Sequence, residues 1–451
     1  MAILAAGPRR RRRTHPAQVV VLGFAGAILV GTALLMLPIA RADGVATDFF
    51  DALFTATSAV CVTGLTVVDT ATHWSGFGLA VILVLIQLGG LGIMIFASMI
   101  GLLVARKFSV RARLTAVAES GALSQQDVKG LVRGIVGLSL LIEAVVMVFL
   151  LARFLLGYGY APGEALWHAL FHAVSAFNNA GFALYTDNLI PFAADPFICL
   201  PIAAAVILGG LGFPVLMQLR KEFRRPLHWS MNTRIMLWGT VVLLTAGTAY
   251  ITVLEWNNDD TFGSYPPAAR VLMGFFQSVQ TRTAGFNSVD VGQMHDETWL
   301  GMDVLMFIGG GPAGTAGGIK VTTFAVLFFI LWTEMRGEAA VNVFGKRLSR
   351  AVHRQAITVV LIALAAVMLG TITLMIMTGR GLDETLFETI SAFATVGLST
   401  GITADLPPGG DVVLVLLMFL GRLGPLTLGS ALALRERRIL YELPKERPAI
   451  G

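Results

Sequence analysis

The chain has 451 residues, of which 55% are hydrophobic and only 14% charged, with 49 glycines and a mean hydropathy of +0.75. This composition excludes disordered and ordinary soluble classes, because a soluble domain would need several helices apolar on every face; it is that of a polytopic membrane protein. The net charge of +5 does not call for nucleic acid, since the basic residues fall where membrane topology puts them, and two isolated cysteines, Cys61 and Cys199, fit neither a disulfide framework nor a metal spacing.

Arg9 to Arg13 form a basic run in residues 1–16, read as a cytoplasmic N-terminus. The apolar stretch from Gln18 to Pro38 is too long for a signal peptide and predicts the first span. From there one unit recurs four times, an apolar segment carrying a Phe and, ten positions on, a Gly followed by Leu or Phe. The pairs are Phe54 with Gly64-Leu65, Phe171 with Gly181-Phe182, Phe275 with Gly285-Phe286 and Phe387 with Gly397-Leu398, and the glycines lie 117, 104 and 112 positions apart. Such a period describes architecture. It divides the chain into repeats over 17–130, 131–232, 233–350 and 351–435, with a cytoplasmic tail over 436–451.

Each repeat contains a pair of long apolar segments: 18–38 and 74–104, 131–157 and 197–219, 233–256 and 300–334, 352–378 and 411–434, eight predicted spans in all. Between the members of each pair, the ten residues from Phe to Gly reach about 15 Å as helix, half of a hydrocarbon core of about 30 Å. Helix-start residues precede each short segment: Thr47 and Asp48, Pro162 to Glu164, Pro266 with Pro267, Asp383 with Glu384. The stretches before the glycines turn small or polar: Cys61-Val62-Thr63, Asn178-Asn179-Ala180, Arg282-Thr283-Ala284 and Ala394-Thr395-Val396. The pattern predicts a descending half-helix and a returning extended segment. Irregular backbone at membrane depth must line a cavity or be buried in protein, so four such loops predict a central aqueous path.

Basic residues cluster between repeats: Arg106, Lys107, Arg111, Arg113, Lys129 and Arg133; Arg220, Lys221, Arg224 and Arg225; Arg336, Lys346, Arg347, Arg350 and Arg354; Arg435, Arg437, Arg438, Lys445 and Arg447 in the tail. These sides are assigned to the cytoplasm. The loops within repeats then open outward, where Asp51, Asp69, Asp187, Asp290 and other acids form a mouth that concentrates cations.

Glycine next to the narrowest point lets carbonyls turn toward an axis, where oxygens can replace a cation's hydration shell. The half-helix C-termini add partial negative charge there. The alternative for these glycines is close helix packing. The second long segments share a glycine motif: Leu88-Gly89-Gly90-Leu91-Gly92, Leu208-Gly209-Gly210-Leu211-Gly212, Ile308-Gly309-Gly310-Gly311-Pro312 and Leu420-Gly421-Arg422-Leu423-Gly424-Pro425. The third extends through Gly309, Gly310, Gly311, Pro312, Ala313, Gly314, Thr315, Ala316, Gly317, Gly318, Ile319 and Lys320, which cannot stay a regular helix. A phosphate loop is the sharper rival but lacks the Gly-Lys-Ser/Thr ending and a preceding strand; a packing kink is the blander one.

Arg422, eleven residues past Asp411, falls about 16 Å down its helix, near the midplane. A charge there faces a cavity or a partner, so it is read as a positive barrier or as half of a salt bridge with Glu143. His168 and His172 could share a helix face, yet metal binding would need further ligands; hydrogen bonding is the default. Arg282 is expected to be held behind its loop by an acid or carbonyls. No nucleophile and base pair or carboxylate dyad marks an enzyme.

The loop segments Thr55-Ala56-Thr57-Ser58-Ala59 to Thr63-Gly64, Ser175 to Gly181, Gln280 to Asn287 and Ser391 to Gly397 resemble those of the Trk, Ktr and HKT superfamily of cation transporters over nearly the whole chain. With no helix pair before the first unit, the chain is most similar to the membrane subunit of bacterial Ktr potassium uptake systems. The resemblance implies an all-α polytopic membrane protein with four M1, pore-loop, M2 repeats set pseudo-fourfold around one central pore in a bacterial plasma membrane. It implies potassium uptake, because Gly64, Gly181, Gly285 and Gly397 are all kept, where a first-loop Ser accompanies many sodium-selective members. A potassium selectivity filter of Val62, Thr63, Gly64, Asn179, Ala180, Gly181, Thr283, Ala284, Gly285, Thr395, Val396 and Gly397 follows, with an intramembrane gating loop at 309–320 and a pore position for Arg422. It further implies a homodimer and a separate cytosolic nucleotide-binding ring, so that adenine nucleotide belongs to that partner and this chain carries no cofactor. A sodium or weakly selective transporter is the rival within the class, and a pore-closed scaffold or sensor the rival outside it.

Overall fold

The computed structural model describes residues 16–108 and 125–424. The Arg9 to Arg13 run, Arg111, Arg113, Pro425 and the tail with Arg435, Arg437, Arg438, Lys445 and Arg447 lie outside the described residues.

In chain order the main helices are α1 Pro16–Leu35, α2 Phe49–Cys61, α3 Gly76–Phe108, α4 Gln125–Gly157, α5 Pro162–Phe177, α6 Pro196–Leu211, α7 Phe213–Glu222, α8 Met231–Glu255, α9 Pro267–Gln280, α10 Asp296–Phe307, α11 Val321–Met335, α12 Arg350–Thr378, α13 Leu382–Ala394 and α14 Pro408–Leu423. A short hairpin, β1 Asn342–Val343 with β2 Lys346–Arg347, joins α11 to α12. The starts obey local chemistry. Asp48 accepts the Phe50 amide at 2.9 Å and caps α2, while α5, α6 and α9 open on a proline, whose missing N–H costs nothing in a first turn.

The half-helices α2, α5, α9 and α13 have 13, 16, 14 and 13 residues, at most about 24 Å at helical rise and too short to cross the hydrocarbon core. Among the described residues they are deeply buried helices, with Phe54, Phe171, Phe276 and Phe387 fully buried. In the third copy the buried ring is Phe276, and Phe275 is only half-buried, contrary to the repeat alignment. The reason is phase: α9 ends five positions before its Gly285, whereas α2 and α13 end three before theirs, and successive helical positions differ by about 100°.

Each half-helix packs on the first long helix of its own repeat, α1 on α2, α4 on α5, α8 on α9 and α12 on α13. The second long helix of each repeat packs on the half-helix of the next: α3 on α5, α6 on α9, α10 on α13, and finally α14 back on α2. That last contact closes the four units into a ring. Outward faces stay apolar, as at Leu22, Leu29, Val148, Leu361 and Ile376, the pattern of lipid-facing helices.

Eight spans were expected, with a break in the second span of the third repeat. By length and apolarity α1, α3, α4, α8 and α12 qualify, and a sixth is the pair α6 and α7, bent by 99°. The bend was not expected, since Gly212 aligns with Gly92 in the unbroken α3. Pro214 explains it: with no N–H it cannot bond Gly210 O, and Gly212 supplies φ +91 at the turn. The third repeat opens fully between Phe307 and Val321, as its glycines and proline predict, and α14 stops at Leu423, before Gly424 at φ +79.

Candidate functional site

Four residues two positions before the recurrent glycines take the left-handed conformation: Val62, Asn179, Thr283 and Thr395, at φ 57, 59, 67 and 52. The glycines themselves sit at φ 92, 70, 78 and 97, and the residue between each pair does not share the positive φ. Alternation of this kind turns successive carbonyls toward one side. It is unfavourable for β-branched Val and Thr, so the surroundings must hold it. Ser58 Oγ accepts the Gly64 amide at 3.0 Å and Ser391 Oγ the Gly397 amide at 3.1 Å. Ser175 Oγ donates to Phe182 O at 2.8 Å, and Gln280 Oε1 accepts the Phe286 amide at 3.2 Å.

The four loops meet one another through these glycines. A Cβ added at Gly64 would lie 2.4 Å from Ala180 O, at Gly181 2.6 Å from Ala284 O, at Gly285 2.2 Å from Val396 O, and at Gly397 2.1 Å from Thr63 O. Each copy thus presses its glycine against the carbonyl preceding the next copy's glycine, and the fourth presses on the first. Thr63, Ala180, Ala284 and Val396 contribute one carbonyl each to the ring, and the residues there are almost entirely buried. The hydroxyls of Thr63, Thr283 and Thr395 are buried without a partner among the described residues.

A second recurrence fixes the half-helix ends. A Cβ at Gly89, Gly209 or Gly421 would fall within 2.0 Å of Val60 O, Phe177 O or Phe393 O, each four positions before its ring glycine. In these three copies the glycine of the second helix thus allows that helix to touch the backbone carrying the ring. Ring positions and close-packing positions are therefore different glycines of one repeat.

The 308–320 segment lies against the ring on the side of the half-helix ends. Several of its backbone groups find partners across the second repeat or within the segment. Gly309 N donates to Ile319 O at 2.8 Å and Val321 N to Gly310 O at 3.0 Å, while Gly311 N bonds Gly210 O at 2.7 Å and Thr315 N bonds Gly209 O at 3.2 Å. Phe213 N returns a bond to Ala313 O at 3.1 Å. The carbonyls freed by the bend of the second repeat are the acceptors for the opened third repeat, so the two breaks complete each other. A Cβ at Gly212 would strike Pro312 O at 2.5 Å. Ala313 and Gly318 turn the segment at φ 58 and 62, Gly314 lies close under Gly209 O and Gly210 O, and the Ala316 methyl faces Gly310. Lys320 Nζ donates to Ala316 O at 2.6 Å and Gly317 O at 3.2 Å, closing the segment on itself.

Three contacts tie it to the ring residues: Thr315 Oγ1 is 2.8 Å from the Asn179 amide, Gly317 leaves no room for a Cβ beside Thr395 Oγ1, and Gly309 faces Thr283. Arg422 occupies the remaining quarter. Buried to 3% exposure, its Nη1 donates to Thr315 O and its Nη2 to Gly89 O at 3.1 Å.

The salt-bridge alternative for Arg422 is overturned, since its partners are carbonyls. The Glu143 carboxylate accepts instead from Gln87 Nε2 at 3.0 Å, and Asn178 Nδ2 bonds Gln87 Oε1 at 2.8 Å. Arg282 also departs from expectation. It is 8% exposed, and among the described residues its Nε has no partner and no acid or carbonyl is seen to hold it. His172 Nδ1 lies 2.8 Å from His168 O and its Nε2 3.4 Å from the Leu184 amide, which occupies both nitrogens. Among the described residues no group of three or more His, Cys, Asp or Glu could hold a metal. Sequence reasoning missed Ser58, Ser175 and Ser391 as supports, although a Ser six positions before Gly in three of four copies was a usable signal.

A multi-span helical protein whose four half-helices converge on one ring of backbone carbonyls is a membrane protein of the cation transport class. The chain matches the family model for TrkH, cation transport protein, over residues 11–435, and it belongs to that family. It is 39% identical over 446 residues to Ktr system potassium uptake protein B of Vibrio alginolyticus, covering 99% of this chain and 97% of that protein. The protein of the same name from Bacillus subtilis is 40% identical over 425 residues, 94% of each chain. Potassium/sodium uptake protein NtpJ of Enterococcus hirae is 34% identical over 452 residues, covering 98% and 99%. In fold, the chain is similar to the crystal structure of the potassium transporter TrkH from Vibrio parahaemolyticus, with a TM-score of 0.74, 19% identity and coverage of 95% and 87%.

Proposed function

We propose that this chain takes up potassium through a pore at the carbonyl ring, with Val62 to Gly64, Asn179 to Gly181, Thr283 to Gly285 and Thr395 to Gly397 as the selectivity filter. The single observation that carries the reading is the closed contact of each glycine with the neighbouring loop's carbonyl. Four preorganised oxygens without a formal charge suit a large, weakly hydrated monovalent cation. The ion is substrate, driven inward by the membrane potential, worth about 2.3 kcal/mol per charge per 100 mV.

Residues 309–320 and Arg422 obstruct the path below the filter as one element, because Arg422 grips Thr315 O. The basic inter-repeat segments face the cytoplasm of a bacterial cell and the filter mouth faces outward. The working unit is a homodimer docked on a cytosolic nucleotide-binding ring, in line with relatives named as components of Ktr systems.

The test is potassium-limited growth and ion uptake in a transporter-deficient bacterium expressing this chain with and without such a ring. Uptake of potassium over sodium is expected. Equal uptake of both ions would favour the dual specificity in the name of the Enterococcus hirae relative, and no uptake from correctly inserted protein would favour a closed scaffold.

A further inference from the structure

We propose that the cleft between α4 and α6 is a phospholipid site, with the lipid phosphate at Arg153 and one acyl chain along the groove. The proposal rests on the membrane-spanning fold alone and not on the transport reading.

The cleft holds about 840 Å³. Two helical stripes line it, Leu141, Val145 and Phe149 from α4 and Leu200, Pro201 and Ala204 from α6. From Leu141 to Leu156 the α4 stripe runs about 22 Å at helical rise, more than one leaflet of hydrocarbon. Leu141 is 59% exposed, Phe149 61% and Phe197 64%, so these flanks already meet the membrane. Ala204 provides width, and Pro201 inside α6 cannot donate to the carbonyl four positions back.

One end of this apolar groove is cationic. Arg153 lies one turn before the end of α4 at Gly157, on the loop-bearing side, where a long basic side chain reaches the headgroup level. Its Nε donates to Asp195 Oδ2 at 2.8 Å, the oxygen that also takes Tyr158 Oη at 2.8 Å, while Asp195 Oδ1 caps α6 at the Phe197 amide, 2.9 Å away. The buried carboxylate thereby accepts three hydrogen bonds and holds the guanidinium at Nε. The guanidinium carbon lies 5.4 Å from the Tyr158 ring centre and 5.3 Å from that of Phe197, and the side chain keeps 36% exposure. The ion pair runs through Nε, and with this exposure the guanidinium keeps N–H groups for an incoming phosphodiester, which pairs with a guanidinium fork. A second copy of the chain would have to cover that charge as well as fill the apolar groove; a lipid satisfies both ends with one molecule.

The full chain is held in dodecyl maltoside micelles, which carry no phosphate, containing a trace of diazirine-acyl phosphatidylglycerol, phosphatidylethanolamine or diacylglycerol, irradiated, and its adducts mapped by mass spectrometry. Both phospholipid probes are expected to concentrate on the groove residues relative to the lipid face of α12, and Arg153→Ala to lower this labelling about tenfold, the loss of one charge-assisted hydrogen bond. Ala204→Phe fills the groove without touching the Arg153 pair and should do the same, which guards against misfolding of the first variant. Stronger labelling by phosphatidylglycerol would assign net negative charge as the determinant, and equal labelling by the two would assign the phosphodiester; either supports the site. Equal labelling by diacylglycerol, adducts spread evenly over all lipid-facing helices, or a disulfide-linked dimer formed through Leu200→Cys would each overturn it.

Discussion

The four copies treat their two halves differently. At the ring, Val62, Asn179, Thr283 and Thr395 share one backbone conformation within 15° of φ, and all four glycines touch a neighbour's carbonyl. In the second long helices the same four copies have parted: α3 runs straight, the second copy bends at Gly212, the third opens over 308–320, and the fourth carries Arg422. Where four units must act on one axis, geometry is held in common even though the side chains differ. Away from that shared axis the copies specialise, and the bend of the second is complemented by the opened third.

The largest expected effect comes from breaking the shared half. Gly397→Ala places a Cβ 2.1 Å from Thr63 O at a φ that costs a non-glycine residue about 1–3 kcal/mol, and should abolish potassium uptake at matched membrane expression. Severity should follow the contact distances, so that Gly285→Ala comes next and Gly181→Ala, at 2.6 Å, is the mildest. Gly64→Ser should relax potassium over sodium discrimination. Four variants without any such order would mean the ring positions are not equivalent.

Breaking the specialised half should raise basal flux. Arg422→Ala removes two charge-assisted bonds, each worth about 1.5–3 kcal/mol, and is expected to increase leak in reconstituted vesicles by about tenfold. Shortening 311–318 should also leak. Because Arg422 holds Thr315 O, the double variant should give less than the product of the two effects. A strictly multiplicative result would separate loop and arginine into two independent barriers.

The sequence was most informative where a residue type has one conformational use. Glycines in phase with half-length helices placed the ring, and the run of glycines with Pro312 located the opened helix to within two residues. The left-handed conformation of Val62, Thr283 and Thr395 was illegible, because β-branched residues advertise extended backbone and it is side-chain hydrogen bonds within the loop and the neighbouring copies' contacts that hold the turn. The bend at Gly212 was hidden by its likeness to Gly92; the distinguishing signal was Pro214, whose missing N–H matters only once one asks which carbonyl it abandons. The partners of Arg422 escaped for a related reason. A search for acids finds Glu143, but a chain with broken helices also offers carbonyls, and those do not show in a list of charges.

A smaller test sharpens the distinction between glycines that form the ring and glycines that carry it. Gly89→Ala drives a Cβ to 2.0 Å from Val60 O, whereas at Gly92 the nearest atom, in Phe24, is 3.8 Å away. The first should lower thermal stability in detergent by about 1–3 kcal/mol as overpacking, and the second should leave it unchanged. Smallest of all is an effect outside both regions. His73, in the single turn Thr70–His73, is held below the usual imidazole range by burial and then by Arg41, against the opposing pull of Asp51, Asp43 and Asp69. The unfolded chain therefore takes up a proton more readily, so stability should be full above the ordinary value of 6.5 and decline as pH falls through it toward the lower folded value. His73→Asn should flatten that decline in a pH series of melting temperatures, while potassium discrimination stays constant.

Arg422 Nη2 reaches Gly89 O across 333 positions of sequence, and Gly397 rests on Thr63 O beside it. The first quarter of the chain thus receives its last contacts from the final quarter, however early it is synthesised. Closure over such a distance adds little at equilibrium, because its entropy grows only with the logarithm of length, yet it fixes the order of events during assembly. A chain interrupted before the fourth unit leaves three half-helix ends around an open arc, with no fourth oxygen and no arginine beneath. Such a product can neither discriminate among ions nor be shut. Completeness of synthesis is in this way tied to the same contact, since the closed ring and the arginine beneath it both arrive only with the fourth unit.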